Sequence, residues 1–194
     1  MGCGEVLDVA LRVAATFERL DIPYLVGGSL ASSLHGLPRA TQDVDFVADL
    51  EADDVDRFIS GLGAGFYIDT GMIEDAMRNR SSFNLIDLGT MFKVDVFIPK
   101  ADLLAREEMR RRQAYVLPGP DRRTLMVASP EDIILQKLHW YRLGNRVSDR
   151  QLADAVGVIR VRRDELDLEY LDAMAGESGL SDLLREALDL ADRD

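Results

Sequence analysis

Asp43-Val44-Asp45-Phe46 sets two carboxylates two positions apart between apolar neighbours. In an extended strand, residues i and i+2 share a face, so Asp43 and Asp45 project together while Val44 and Phe46 turn the other way. Like charges held side by side repel, and a cation between them removes the penalty. Magnesium suits such a pair, because it prefers oxygen ligands and keeps positions for water and phosphate. Alone, the pair reads equally well as an edge strand showing two acids to solvent. A third acid shifts the balance. Lys93-Val94-Asp95-Val96-Phe97 places Asp95 in an apolar strand, where an unpartnered carboxylate is expensive. If the two strands are neighbours, three carboxylates meet, enough for two metal ions. One ion would activate an attacking oxygen and the other would hold departing phosphates.

Leu25-Val26-Gly27-Gly28-Ser29 is an apolar strand that runs through two glycines into a helix start. Glycines let the backbone approach a phosphate closely, and a helix N-terminus offers free N–H groups and a favourable dipole. Ser29 adds a hydroxyl donor. On its own the segment is also compatible with a tight turn capped by Ser29. It is not a hydrolase elbow, since position 31 is Ala rather than Gly and no catalytic histidine is evident.

Taken together these residues resemble the DNA polymerase beta-like nucleotidyltransferase superfamily. That pattern is an apolar strand, a glycine pair at a helix start, an Asp-x-[Asp/Glu] strand and a third acid on a later strand. Here 13 residues lie between Ser29 and Asp43, and the likeness covers residues 20–100 directly. It implies that Asp43, Asp45 and Asp95 are catalytic and bind metal, a pair of Mg²⁺ ions, with Asp95 also helping to deprotonate the acceptor. It implies that Gly27, Gly28 and Ser29 hold the triphosphate of an NTP. The run Arg39-Ala40-Thr41-Gln42-Asp43-Val44-Asp45 is similar to the branch containing AbiEii-type toxins and uncharacterised bacterial nucleotidyltransferases. Arg39 and Thr41 join the nucleotide contacts on that likeness. A salt bridge from Arg39 to Asp43 or Asp49 would account for the arginine as well. The branch carries a lysine on a later helix, and Pro130-Glu131-Asp132-Ile133-Ile134-Leu135-Gln136-Lys137 matches it, so Lys137 would neutralise phosphate charge. Ser148-Asp149-Arg150-Gln151-Leu152-Ala153-Asp154 matches the following segment only loosely, which leaves the roles of Asp149 and Asp154 open.

The implied activity moves an NMP from an NTP to an acceptor hydroxyl on tRNA, protein or a small molecule, in a toxin-like setting with a cognate antitoxin. A catalytically silent member that binds nucleotide or protein for regulation, and a metal nuclease using the same acids, are the rival readings.

Composition narrows the field. Among 194 residues, apolar types make up 47% and charged types 30%, a globular balance with enough chain for one core and a helical appendage. One cysteine excludes an internal disulfide and a cysteine-rich zinc site, and two histidines give a histidine-built centre little support. No apolar run approaches a membrane span and no secretory signal opens the chain, so a cytoplasmic protein is expected. Met1-Gly2-Cys3 has Val6 where an acylation signal has Ser or Thr. The net charge of −12 argues against non-specific DNA binding. Residues 101–163 nevertheless hold 13 basic and 8 acidic groups, a local excess that could face polyphosphate or simply coat helices.

The elements that must position the acids follow from periodicity. Helical spacing covers Val6–Leu20, Ser29–Leu34, Asp53–Leu62, Ile73–Arg78 and Ala101–Arg112. Strand patterns occupy Tyr24–Val26, Asp43–Ala48, Phe66–Ile68, Ser82–Ile86, Phe92–Ile98, Tyr115–Leu117 and Thr124–Val127. The five residues from Gly61 to Gly65 are a turn, not a dinucleotide fingerprint. From Ser129, with Pro130 at the first helical position, only helices are expected: to Leu143, then Ser148–Ile159, Asp164–Met174 and Ser181–Ala191. The fold expected is α+β, a mixed sheet flanked by helices over residues 1–128, with a C-terminal helical subdomain over 129–194. His35 is expected as a helix-end residue, His139, Trp140 and Tyr141 as packing, and Arg110-Arg111-Arg112 as a solvated helix end.

Overall fold

A computed structural model describes residues 3–41, 43–117 and 122–193. Met1 and Gly2 of the acylation reading, and Gln42 of the Arg39-to-Asp45 run, lie outside the described residues. The helices are α1 (Cys3–Arg19), α2 (Gly28–His35), α3 (Val55–Leu62), α4 (Thr70–Asn79), α5 (Leu103–Arg111), α6 (Pro130–Leu143), α7 (Asp149–Arg162), α8 (Leu168–Glu177) and α9 (Ser181–Ala191). The strands are β1 (Tyr24–Val26), β2 (Asp43–Ala48), β3 (Phe66–Ile68), β4 (Ser82–Asp87), β5 (Lys93–Phe97), β6 (Gln113–Val116) and β7 (Thr124–Val127). They form one sheet in the order β3-β4-β5-β2-β1-β7-β6. The β2–β5 and β1–β7 pairs are parallel and the rest antiparallel, so the sheet is mixed as expected.

The register explains the two faces. Val44, Phe46, Phe83, Leu85, Val94 and Val96 are all buried and point to one side. That side is closed by α1, whose Val9, Ala10, Val13 and Phe17 recur at helical spacing and are buried. Phe17 packs between Phe58 of α3, with ring centroids 4.8 Å apart, and Phe46 of β2 at 5.6 Å. Burying a phenylalanine this fully stabilises the fold by roughly 2–3 kcal/mol. The alternate positions, including both Asp43 and Asp45, face the other side and remain partly open.

The last four helices pack on one another and, through α6 and α7, on α2 and α5. Ser129 caps α6, its hydroxyl oxygen accepting from the Asp132 N–H at 3.1 Å, with Pro130 at the first helical position. The backbones of α2 and α7 approach closely: a Cβ on Gly36 would stand 2.8 Å from the Val158 nitrogen. Helix α8 departs from the expected start. The chain makes a 3-10 turn at Arg163–Glu165, extends at Leu166, and begins the helix only after Asp167, whose carboxylate accepts from the Tyr170 N–H. The helix expected from Asp164 thus starts at Leu168, with Asp167 as its cap. No described helix is long and apolar enough to cross a membrane.

Candidate active site

Asp45 and Asp95 stand directly opposite each other on parallel neighbours β2 and β5, and Asp43 lies two residues back on the same face. The expectation that the third acid joins the first two on one side of the sheet therefore holds. Asp45 feels the charges of both Asp43 and Asp95. Among the described residues, no three His, Cys, Asp or Glu side chains are drawn together tightly enough to cage an ion as they stand. Lys93, two residues before Asp95 on the same face, holds the Asp95 Oδ2 at 2.7 Å. That bond raises the lysine above its ordinary pKa, despite partial burial. Asp43 is oriented by Thr41, whose hydroxyl lies 2.9 Å from its Oδ1.

Asp45 is the stressed member of the group. Burial, then the charges of Asp43 and Asp95, push its carboxyl up to about 6, against a smaller relief from Lys137 and the Ser29 N–H. An all-oxygen donor set whose central carboxylate is destabilised by its neighbours fits an oxygen-seeking divalent cation, which would reverse each of those terms.

The glycine turn is built around this carboxylate. Gly27 N–H donates to the Asp45 carbonyl at 2.9 Å, tying the end of β1 to β2. Gly28 has φ +57°, and a Cβ there would fall 1.7 Å from Asp45 Oδ2. Only glycine meets both demands. Helix α2 consequently begins at Gly28, with Gly27 as its cap residue, so the alternative of a turn capped by Ser29 is not realised. The first-turn N–H of Ser29 lies close enough to ease the Asp45 carboxyl.

Ser29 has a different partner. Arg39 Nη2 donates to its Oγ at 2.6 Å, which leaves the hydroxyl proton available to an incoming anion. The same guanidinium grips Asp154 of α7 with two bonds of 2.8 Å, rather than Asp43 or Asp49. Lys137 of α6 reaches the other side of Asp154, Nζ to Oδ2 at 2.8 Å, and is itself buried. Ser32 Oγ lies 3.3 Å from the same oxygen. Burial would raise Asp154, but the bonds from Arg39 and Lys137 outweigh it and hold the carboxyl below its usual range. Asp154 thus fixes two cations beside the glycine turn. Its sequence signal was an acid four residues before buried Val158, on the packing side of a helix, where a carboxylate needs partners.

Glu108 of α5 was missed altogether. It is 4% exposed, accepts from Gln136 Nε2 at 2.9 Å, and lies against Gly27, its Oε1 3.8 Å from where a Cβ would sit. Burial, then the charge of Asp132, push it up to about 8, so it carries a proton at neutral pH. Several residues set aside as bland behave unevenly. His35 is 1% exposed, with its Nε2 2.9 Å from the Ala128 carbonyl oxygen, and burial lowers its pKa despite that contact. Tyr141 is core while Trp140 is 48% exposed. Arg110 is solvated as expected, but Arg111 is not: it reaches Glu131 at 3.0 Å and lies over the Tyr170 ring.

No family model matches the chain, and no curated protein matches it. Solved structures do. The antibiotic-resistance factor ANT(2'')-Ia in solution superposes at TM-score 0.52 with 11% identity, over 96% of this chain and 94% of that one. The same factor in complex with adenylyl-2''-tobramycin gives 0.56 with 14% identity, over 90% of this chain and 96% of that one. A nucleotidyltransferase-like protein from Paracoccidioides brasiliensis gives 0.53 with 17% identity, over 95% and 94%. The chain has the nucleotidyltransferase fold. At these identities the likeness speaks for the fold alone. What residues such as Asp45 and Lys137 do must be argued from their own surroundings.

Proposed function

We propose that the chain is a Mg²⁺-dependent nucleotidyltransferase that moves an NMP from an NTP to an acceptor hydroxyl. One observation carries the reading: Asp45 faces Asp95 across parallel strands with the Gly28 turn pressed on its carboxylate. An acid so destabilised by burial and like charge has no structural role in sight, yet suits a cation and a polyphosphate.

The residues divide the work. Asp43, Asp45 and Asp95 would hold the Mg²⁺ ions, which supply charge neutralisation at the α-phosphate and the leaving pyrophosphate. Thr41 keeps Asp43 aimed at the site. Ser29 donates its hydroxyl to the triphosphate, and Gly27 and Gly28 let the phosphates come close to the backbone. Arg39 and Lys137, held by Asp154, set positive charge where phosphate charge arrives, so little reorganisation is needed during the reaction. Asp95 takes the acceptor's proton as the hydroxyl oxygen bonds to the α-phosphorus and the bond to the bridging α–β oxygen breaks. Within this reading residues 1–128 carry the acids, and residues 129–194 pack on them and contribute Lys137 and Asp154. The reaction draws on the cytoplasmic NTP pool.

The resistance factor of similar fold solved with adenylyl-2''-tobramycin offers a precedent for such a product, the fold being all that it shares with this chain. The Arg39-to-Asp45 run supports a narrower role as a toxin restrained by a cognate antitoxin. Incubation with α-labelled NTPs and Mg²⁺, offered total RNA, protein and small hydroxyl compounds, tests the reading. Label transfer that vanishes in Asp45→Ala is the expected result. Nucleotide binding with no transfer to any acceptor would favour the silent binder, and RNA shortening without NTP the nuclease.

A further inference from the structure

The sheet face that bears the acids continues, uncovered, beyond them to the edge of the sheet. The ladder aligns Tyr67, Ile86, Lys93 and Asp43 in one row across β3, β4, β5 and β2. The adjoining row aligns Asn84, Asp95 and Asp45. Paired residues point to the same side, so these side chains share a face. On the reverse face Phe83 and Leu85 are buried beneath helices. On this one Asn84 and Ile86 are only half-buried and Tyr67 is 56% exposed. The hairpin just past the Ile86–Lys93 pair adds exposed Leu88 and Met91.

We propose that this stretch is the acceptor platform, and that its occupant is a small hydroxylated ring compound carrying no phosphate. The proposal rests on the transferase reading above. An aromatic ring and an aliphatic chain in one row offer a flat apolar seat, and the Asn84 amide beside Asp95 offers both a donor and an acceptor for hydroxyl groups. Strands lie about 4.8 Å apart, so Tyr67 stands roughly 14 Å from Asp43. That span suits a molecule of a few linked rings, with one hydroxyl delivered to the acids.

Charge decides against RNA. A nucleic acid needs a series of Lys and Arg contacts to its phosphates. Among the residues that the described ladder puts on this face from β2 to β3, Lys93 is the only cation, and its ammonium is committed to Asp95. Three carboxylates share the surface with it. A neutral or cationic ring compound meets no repulsion there. Its hydroxyl oxygen bonds to the α-phosphorus, pyrophosphate leaves with the broken α–β link, and the proton passes to Asp95.

The test uses the whole protein with α-labelled ATP and Mg²⁺, offered glucosamine, uridine and tobramycin as ring probes and total tRNA as the macromolecular rival. Wild type, Tyr67→Ala and Tyr67→Phe are compared. Saturation-transfer NMR reads probe binding directly, calorimetry reads ATP affinity, and a thermal melt confirms folding. Label on a ring probe is expected, with its KM raised about 10-fold in Tyr67→Ala, as lost aromatic contact implies, and nearly restored in Tyr67→Phe. ATP affinity is expected to stay constant throughout. Label on tRNA alone, no label on any ring probe while ATP and Mg²⁺ bind, or a KM indifferent to Tyr67→Ala would overturn the platform. Failure of ATP to bind at all in the presence of Mg²⁺ would instead bring down the transferase reading, and this inference with it.

Discussion

Two groups of acids sit some way into this protein, and they are treated in opposite ways. At the start of α6, Asp132 accepts from Ser129 Oγ at 2.6 Å and Tyr170 Oη at 2.6 Å, with Arg111 alongside. Its neighbour Glu131 accepts from Arg111 at 3.0 Å and from the Asp167 N–H at 3.0 Å. These acids join α5, α6 and α8, and each of their four carboxylate oxygens accepts a hydrogen bond. On β2 and β5, Asp45 meets two other carboxylates, one backbone N–H and a distant lysine. The first group is a structural joint: burial raises the Asp132 carboxyl as well, but there the Ser129 and Tyr170 hydroxyls and the Arg111 charge oppose it. The second is left short of positive charge on an open face. A buried acid with a full set of partners serves the fold, and one kept under repulsion is poised for a ligand.

Substitutions should separate the two groups. Asp45→Asn is expected to lower label transfer by on the order of 10³-fold, since it removes a central ligand and its charge. The melting temperature should hold or rise, because repulsion is relieved; a variant that is both inactive and unfolded would erase the contrast. Asp132→Ala should do the reverse. Leaving the Ser129 and Tyr170 hydroxyls without their acceptor, and Arg111 with Glu131 alone, costs about 3 kcal/mol, a fall of roughly 6–12 °C in Tm for a chain of this size. A melt unchanged by this substitution would mean that the joint is not one.

Asp154 lies between the extremes, a balanced acid that positions cations for the unbalanced ones. Asp154→Asn keeps the shape and weakens the hold on Arg39 and Lys137. ATP affinity is expected to drop about 10-fold, the scale of one charge-assisted contact, with a smaller loss of stability. Equal ATP affinity in titrations of variant and wild type would remove Asp154 from the nucleotide account.

The smallest effect concerns pH. Glu108 is raised in the folded protein to about 8, above an unfolded value near 4.5. Its contribution is fully present below the unfolded value and is lost as pH climbs through about 8, because the unfolded chain releases the proton first. Melts between pH 5 and 8.5 should therefore show falling stability with rising pH. Glu108→Gln, which can still accept from Gln136, should flatten that slope; an unaltered slope would assign it to other groups.

The sequence reading located the acids because strands write their faces in alternate residues. Asp43–Ala48 and Thr124–Val127 were legible to the residue, and two apolar strands each interrupted by an acid stood out, while their adjacency was a condition that the sheet order meets. Helix ends were harder. Asp164-Glu165 and Asp167 both resemble a helix start, and only the extended backbone at Leu166 selects the second. Partnerships across long separations were not legible. Arg39 had acids close by in sequence and chose Asp154, 115 residues away, because α7 packs against α2 at Gly36. Likewise the bond from Lys93 to Asp95 depends on side-chain reach along one face, which the pattern of types does not record.

The central claim is that Asp43, Asp45 and Asp95 collect a divalent cation together with a nucleoside triphosphate. Calorimetric titration of ATP into wild type and Asp45→Asn, each with Mg²⁺ and with EDTA, tests it most directly. The account predicts binding that requires Mg²⁺ in wild type and is lost in a variant that melts no lower. ATP binding that is indifferent to EDTA and to the loss of the Asp45 charge would contradict it.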